Sequence, residues 1–371
     1  MILNFLPPKK NQIMFYDLNF SLKLAKLLKI KYFSILHTRK EFLNIYILFK
    51  SFLKFKFSFI DYLQEYINYC SPKILITFTD NDSRFYKLKC LNGHKVFIQN
   101  GKRTKMDIFF YLKKVKNQRN FHVDYMFVHN KSIAKEYSKF IKGRNLPIGS
   151  VWSNEKSIKK SYKKNFIYIS TFRPGYLSLN KEVFSNILFK DYIKNEIVLL
   201  KQILKFCKLN NIKLEILAKY HKSQEEHKRE LLFFKQVLGN EINFLPNYET
   251  RDTFSLLDSS NIIIGVDSTL AYEAFARNKK VAFFSIRGKK NSIFKSRKFA
   301  WPYKVKDKGF FWTNKASELE VTRVFNNLLK TNFDEWNKMN HIEFKENIMC
   351  FDSKNKKLKY IINKLIGGSK V

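Results

Sequence analysis

Short apolar runs alternate with helix-period segments along most of the chain, and this alternation constrains the fold more than any other feature. In the first half, residues 74–79, 96–99 and 125–129 read as strands buried on both faces, and a helix is predicted over 131–141. The second half repeats the pattern with strands at 166–171, 214–218, 242–245, 261–266 and 280–285. Helices are predicted between and after them at 195–210, 225–238, 251–259, 268–278 and 318–329. The stretch SNEKSIKKSYKKN (153–165) is polar, lysine-rich and without apolar periodicity, so it reads as a linker. The expected architecture is α/β: two Rossmann-like, doubly wound domains facing a central cleft. They span residues 1–152 and 166–335, followed by a basic helical tail at 336–371. Ligands of such sheets bind beyond the carboxyl ends of the strands.

Composition narrows the function classes. Among 371 residues, 70 Lys+Arg against 31 Asp+Glu leave a formal net charge of +39, and aromatics make up 16%. Disordered chains are poor in aromatics, so disorder is excluded. The longest run free of Asp, Glu, Lys and Arg is 145–154, too short to span a bilayer. The opening MILNFLPPKK is broken by Pro7-Pro8, so no secretory signal is expected. The charge admits nucleic acid, an anionic membrane surface or a phosphorylated substrate as partner, and equally the compositional drift of an AT-rich genome. Scattered lysines and the lack of a recognised RNA or DNA module disfavour nucleic acid. Residues 1–165 carry nearly double the positive excess per residue of the remainder. Within them, 40–67 is dense in Phe, Ile and Leu with Lys50, Lys54 and Lys56: an interfacial helix, or a core helix pair with snorkelling lysines. Cys70, Cys90, Cys207 and Cys350 show no CxxC spacing, and reduced thiols are expected.

The segment NIIIGVDSTLAYEAFARNKKVAFFSIR (261–287) is the most informative for chemistry. A strand ends near Val266-Asp267, and Ser268-Thr269 open a helix whose free N–H groups and dipole suit a phosphate. Glu273 lies one turn deeper on the face of Thr269, where a carboxylate can accept ribose hydroxyls. Asp267 or Ser268 can instead be an N-cap, and Glu273 a solvent-facing residue. Lys219 and His221 leave one strand end and suit a departing phosphate, though His221 also fits a solvated loop. Arg173, in STFRPG, is a bidentate phosphate ligand or a surface charge before a turn. In the first half, Asp80 and Asp82 follow one strand and Gln99-Asn100-Gly101 the next. Asp80 is a general-base candidate for an acceptor hydroxyl, or an ordinary loop carboxylate, with Asp82 the weaker candidate. The Asn-Gly pair suits a turn that approaches a ligand closely. No GxGxxG, GxxxxGK[ST] or GxSxG occurs, and the DND at 80–82 is not in a metal-binding context, so no metal or cofactor is expected.

In order, ITFTDND, IQNGKR, LPIGS, STFRP, GVDSTLAYEAFARNKKVAFFS, FAWPY and GFFWTN resemble a family of bacterial surface-carbohydrate biosynthesis proteins, sugar transferases of the GT-B shape. The resemblance covers residues 70–340. More distantly, Lys219-Tyr220-His221 with Ser268-Thr269 and Glu273 is similar to the motifs of capsule transferases that use CMP-linked Kdo or sialic acid, with Lys222 where that pattern carries Pro. The resemblance implies metal-independent glycosyl transfer from a nucleotide-sugar to a lipid-linked or growing lipopolysaccharide or capsule chain. It implies a cytoplasmic enzyme, peripheral on the inner membrane face. The residue patterns and the resemblance together assign Arg173, Lys219, His221, Ser268, Thr269 and Glu273 to the donor, Asp80 and His221 to catalysis, and Asp82, Gln99, Asn100 and Gly101 to the acceptor side. The alternatives are a CDP-polyol phosphotransferase and a basic nucleic-acid-binding protein.

Overall fold

Runs such as IMFY and ILIT are apolar without alternation because both faces of their strands are covered: all four residues of each are buried. A computed structural model describes residues 2–39, 41–104, 121–158, 163–178, 182–184, 187–248, 252–287, 298–339 and 342–367. The chain divides into two units, Met1–Glu155 with Cys350–Val371, and Lys156–Met349.

In the first unit, β1 (Ile2–Asn4) pairs in parallel with β4 (Phe42–Asn44) as a small separate ribbon. The main sheet comprises β2 (Ile13–Tyr16), β3 (Ser34–Leu36), β5 (Ile74–Thr77), β6 (His94–Ile98), β7 (His122–Val128) and β8 (Lys142–Pro147). Its order is β3-β2-β5-β6-β7-β8, all parallel, so the winding reverses between β2 and β5. The helices are α1 (Ser21–Leu27), α2 (Ile45–Leu53), α3 (Phe59–Cys70), α4 (Ser83–Lys87), α5 (Lys131–Tyr137) and α6 (Val151–Glu155).

In the second unit, β9 (Lys163–Ile169), β12 (Lys213–His221), β13 (Asn243–Asn247), β14 (Ser260–Gly265), β15 (Lys280–Phe284) and β16 (Trp312–Thr313) form a parallel sheet in the order β13-β12-β9-β14-β15-β16. β10 (Glu182–Phe184) and β11 (Ile187–Leu188) make a short antiparallel pair. The helices are α7 (Phe189–Leu209), α8 (Glu225–Leu238), α9 (Thr253–Ser259), α10 (Thr269–Ala276), α11 (Glu318–Lys330), α12 (Phe333–Met339) and α13 (Ile342–Ile348). Winding reverses between β9 and β14, which makes the carboxyl ends of those two strands the favoured ligand crevice. Gly265 ends β14 where α10 packs so closely that a Cβ would collide with the Ala271 side chain.

The domain boundaries differ from the sequence expectation. The expected linker begins inside α6, where Ser153 and Asn154 are buried, and ends inside β9. The expected tail divides: α12 and α13 stay with the second unit, while the last helix, α14 (Lys356–Ile366), belongs to the first. There Leu358 and Ile362, four residues apart on one face, join the core of Phe15, Ile76 and Ile98. The return is fixed by polar contacts: Asn355 Nδ2 donates to the Val151 carbonyl at 2.9 Å, and Asp352 N–H donates to Asn154 Oδ1 at 3.1 Å. Gly149, at φ +81°, bridges to Phe351 with its Cα against the Cys350 carbonyl, a place and a backbone conformation that exclude a side chain. Arg277 serves the second unit similarly. Fully buried, it is paired with Asp258 and donates to the carbonyls of Lys156 and Ser157, each at 2.9 Å.

Candidate functional site

The carboxyl edge of the second sheet holds a buried charge network. Its centre is Arg287, just beyond β15, with Glu196 from α7 and Asp267 from the β14–α10 turn. Arg287 is ion-paired with Glu196 and donates to Asp267 Oδ1 at 2.8 Å, to Thr171 Oγ1 at 2.8 Å and to the Tyr176 hydroxyl at 2.7 Å. Glu196 also accepts from Tyr168 at 2.6 Å, from Thr171 at 2.8 Å and from Tyr176 at 3.3 Å. Burial alone would weaken the proton affinity of Arg287, but Asp267 and Glu196 outweigh it and hold the guanidinium firmly charged. Its Nε is buried with no hydrogen-bond partner among the described residues.

Two further cations stand on this network. Arg173 lies 5.7 Å from the centroid of the Tyr192 ring, and Arg287 lies 4.6 Å from the same ring. Lys219 donates to the Phe172 carbonyl at 3.0 Å. The Lys219 ammonium is pushed below its ordinary pKa by desolvation and then by repulsion from Arg173, against the pull of Glu230 and Asp267. Arg173, Lys219 and Arg287 therefore share one electrostatic neighbourhood at the ends of β9, β12 and β15. Glu230 steadies β12 beneath it by accepting from the backbone N–H of Lys219 at 2.9 Å and of Tyr220 at 3.1 Å.

At the β14–α10 turn, Ser268 is the N-cap: its hydroxyl accepts from Leu270 N–H at 3.2 Å, while Asp267 turns to Arg287. Thr269 is the first helical residue. Glu273 is only 7% exposed, so it is not a solvent-facing helix residue. His221 is the last residue of β12, with Nδ1 2.7 Å from Ser223 Oγ. Its Nε2 is shielded and has no partner among the described residues.

In the first unit the structure corrects the acceptor-side expectations. Asp80 is 2% exposed, and both its oxygens are occupied: Arg103 binds it in a fork and Tyr137 donates to Oδ2 at 2.8 Å. A carboxylate so held is a structural anion and not an exposed base. Asp82 is the N-cap of α4, accepting from Arg84 N–H at 3.0 Å, from the Arg84 guanidinium and from the Tyr16 hydroxyl at 2.8 Å. Burial pushes the Asp82 carboxyl up, but these donors prevail and its pKa falls. With both aspartates of the DND triplet paired to arginines, neither presents a free carboxylate to a cation. Gln99 is also committed, accepting from His129 N–H at 2.9 Å and donating to the Gly101 carbonyl at 2.9 Å. Asn100 remains half-buried at the loop.

His129 follows β7 at the same edge, buried, with neither ring nitrogen hydrogen-bonded among the described residues. Burial, countered by Asp80 and reinforced by Arg103, pushes its pKa down to about 4. The unfolded chain protonates this histidine near pH 6.5, so its contribution is complete above that pH and is lost as pH falls towards 4. Wild-type protein should lose up to about 3 kcal/mol across that window through this group. Urea unfolding at stepped pH checks it: His129→Gln should show a shallower decline, and an identical decline would contradict the assignment.

Sequence reasoning missed Glu196, Thr171, Tyr176 and Arg287 as a unit. Arg287 ends the very segment singled out, but its main partner lies 91 residues away.

Comparison with solved structures places this architecture. A UDP-GlcNAc 2-epimerase from Neisseria meningitidis, bound to UDP-GlcNAc, is 12% identical over 99% of both chains with a TM-score of 0.50. A glycosyltransferase from Rickettsia africae is 13% identical over 98% of this chain and 100% of that one, also with a TM-score of 0.50. HepE of Anabaena, in complex with UDP and glucose, is 10% identical over 95% and 99%, with a TM-score of 0.51. At these identities the likeness is one of fold: two Rossmann-like units of the GT-B type. Among curated proteins no sequence matches the chain. A family model described as "putative O-antigen biosynthesis protein" matches residues 96–366. That match spans most of the chain and every quoted motif beyond the first, and the chain belongs to this family of surface-carbohydrate biosynthesis proteins.

Proposed function

We propose that the chain is a glycosyltransferase that binds a nucleotide-sugar on its second unit and passes the sugar to a lipid-linked or growing surface polysaccharide. The observation that carries this reading is the convergence of Arg173, Lys219 and Arg287 beside the N-terminus of α10 at the switch point of a parallel sheet. Cations beside the positive end of a helix fit the phosphates of the donor, and they stabilise the charge that grows on the departing nucleotide. In this reading Ser268 and Thr269 contact phosphate, Glu273 accepts ribose hydroxyls, and His221 borders the sugar. The nucleotides bound by the epimerase and by HepE make a UDP-linked donor the first to test. The Lys219-Tyr220-His221 motif keeps a CMP-linked donor as the second arm. The first unit takes the acceptor, with Asn100 and Gly101 at its loop and Asp80 supporting Arg103 from beneath. No helix of the described residues is long and apolar enough to cross a membrane, and the proposed place of action is the cytoplasmic face.

A thermal-shift panel of CMP, UDP, GDP and CDP-glycerol, with the corresponding nucleotide-sugars, tests the assignment. One nucleotide and its sugar should raise the melting temperature, since a ligand that binds only the native state stabilises it. Product analysis with that donor then separates the reactions. A transferase releases nucleotide only with acceptor present, an epimerase converts the sugar-nucleotide alone, and a polyol phosphotransferase releases CMP from CDP-glycerol. No shift with any nucleotide would refute the reading.

A further inference from the structure

The first unit carries an apolar face that the reading above does not use. On α2, Ile47 and Ser51 point inward, while Leu48, Phe49, Phe52 and Leu53 form the outward face and are exposed. A surface helix apolar on both faces is out of place in water. The turn after it adds Phe57 and Phe55, the latter 85% exposed at φ 55°. This turn is not loose: Lys56 N–H donates to the Ser51 carbonyl at 3.0 Å, and the Ser51 hydroxyl donates back to the Lys56 carbonyl at 2.9 Å. The fold thus holds a left-handed, non-glycine residue in a conformation that presents a phenyl ring to solvent. β1 and Phe5 extend the face, because β1 packs on α2 and Asn44, the N-cap of α2, donates to the Leu6 carbonyl at 2.9 Å. A depression of about 460 Å3 opens between Leu43, Phe52, Phe57 and Tyr62.

The charge around this face is predominantly positive. No acidic residue precedes Asp17, and none stands between Glu41 and Asp61, where three lysines occur. Lys54 is neutralised by Glu65, but Lys10 and Lys50 lie over the same Tyr69 ring, at 4.9 and 5.3 Å from its centroid, and Lys56 is exposed. Clustered phenyl rings bordered by Lys10, Lys50 and Lys56, which make no ion pair among the described residues, match the boundary between acyl chains and anionic headgroups.

We infer that this face of the first unit, built by β1, α2 and the turn at 54–57, docks the protein on an anionic lipid bilayer. The inference is independent of which nucleotide the second unit binds. Flotation of the full chain with vesicles of phosphatidylcholine, alone or mixed with phosphatidylglycerol, tests it. The protein should float with the mixed vesicles, less at high salt. Phe52→Asp with Phe55→Asp should weaken binding at least about tenfold at an unchanged melting temperature, both rings being exposed. Lys10→Glu with Lys50→Glu should abolish the preference for phosphatidylglycerol and serves as the second variant. Wild-type protein that stays in the dense fraction, or a phenylalanine variant that floats equally, overturns the proposal. So does sedimentation showing a wild-type dimer that Phe52→Asp with Phe55→Asp converts to monomer.

Discussion

Replacing Arg287 with methionine is expected to lower the unfolding free energy by about 3–5 kcal/mol, read as an earlier urea transition. The guanidinium is buried, as is Glu196 beside it, and Asp267 is mostly shielded. Removing the cation leaves the Glu196 carboxylate in an apolar interior with only hydroxyl partners, and an uncompensated buried charge costs more than the intact pair contributes. Glu196→Gln combined with Arg287→Met should recover much of the loss, because no charge is then stranded. The same single variant should also impair nucleotide binding, since it removes one of three clustered cations and the counter-charge that Arg287 gives Asp267. An Arg287→Met protein that unfolds like wild type would mean that the network carries no structural load.

Arg173→Ala combined with Lys219→Ala acts on binding with little effect on folding. Arg173 is half-buried and Lys219 exposed, and the Lys219 ammonium donates to a loop carbonyl, that of Phe172. Each charge-assisted contact to phosphate is worth about 1.5–3 kcal/mol, so losing both should weaken nucleotide affinity by at least about a hundredfold. The depressed proton affinity of Lys219 fits this role. Desolvation first, and then Arg173 beside it, make the ammonium costly, and a bound phosphate would relieve the repulsion.

The second unit was the more legible half. Its strands are flanked by long helices of clear period, and 261–287 holds a strand, a turn, a helix and a strand in one local run. Before residue 74 the signal failed: β2 is four residues long, β3 three, and both lie among polar stretches too short to show a period. The division of the tail was illegible because it rests on Asn154 and Asn355, 201 residues apart. The site was half legible. Arg173 and Ser268 follow strand ends and Lys219 lies near one, and strand ends can be read. The roles of Asp80 and Gln99 turn on Arg103 and His129, which local pattern does not connect to them. The motifs FAWPY and GFFWTN proved to be packing: Phe299 lies 4.6 Å from Phe283 and 5.0 Å from Trp312 between ring centroids, a core that braces the sheet edge.

Calorimetric titration of the full chain with UDP and with CMP, set beside the same titration of Arg173→Ala with Lys219→Ala, tests whether the second unit holds the nucleotide at these cations. Saturable binding of one nucleotide to the wild type is expected, with at least about a hundredfold weaker binding to the double variant at an unchanged melting temperature. Equal affinity of the two proteins would contradict it, because the nucleotide would then be held away from the carboxyl edge of the second sheet.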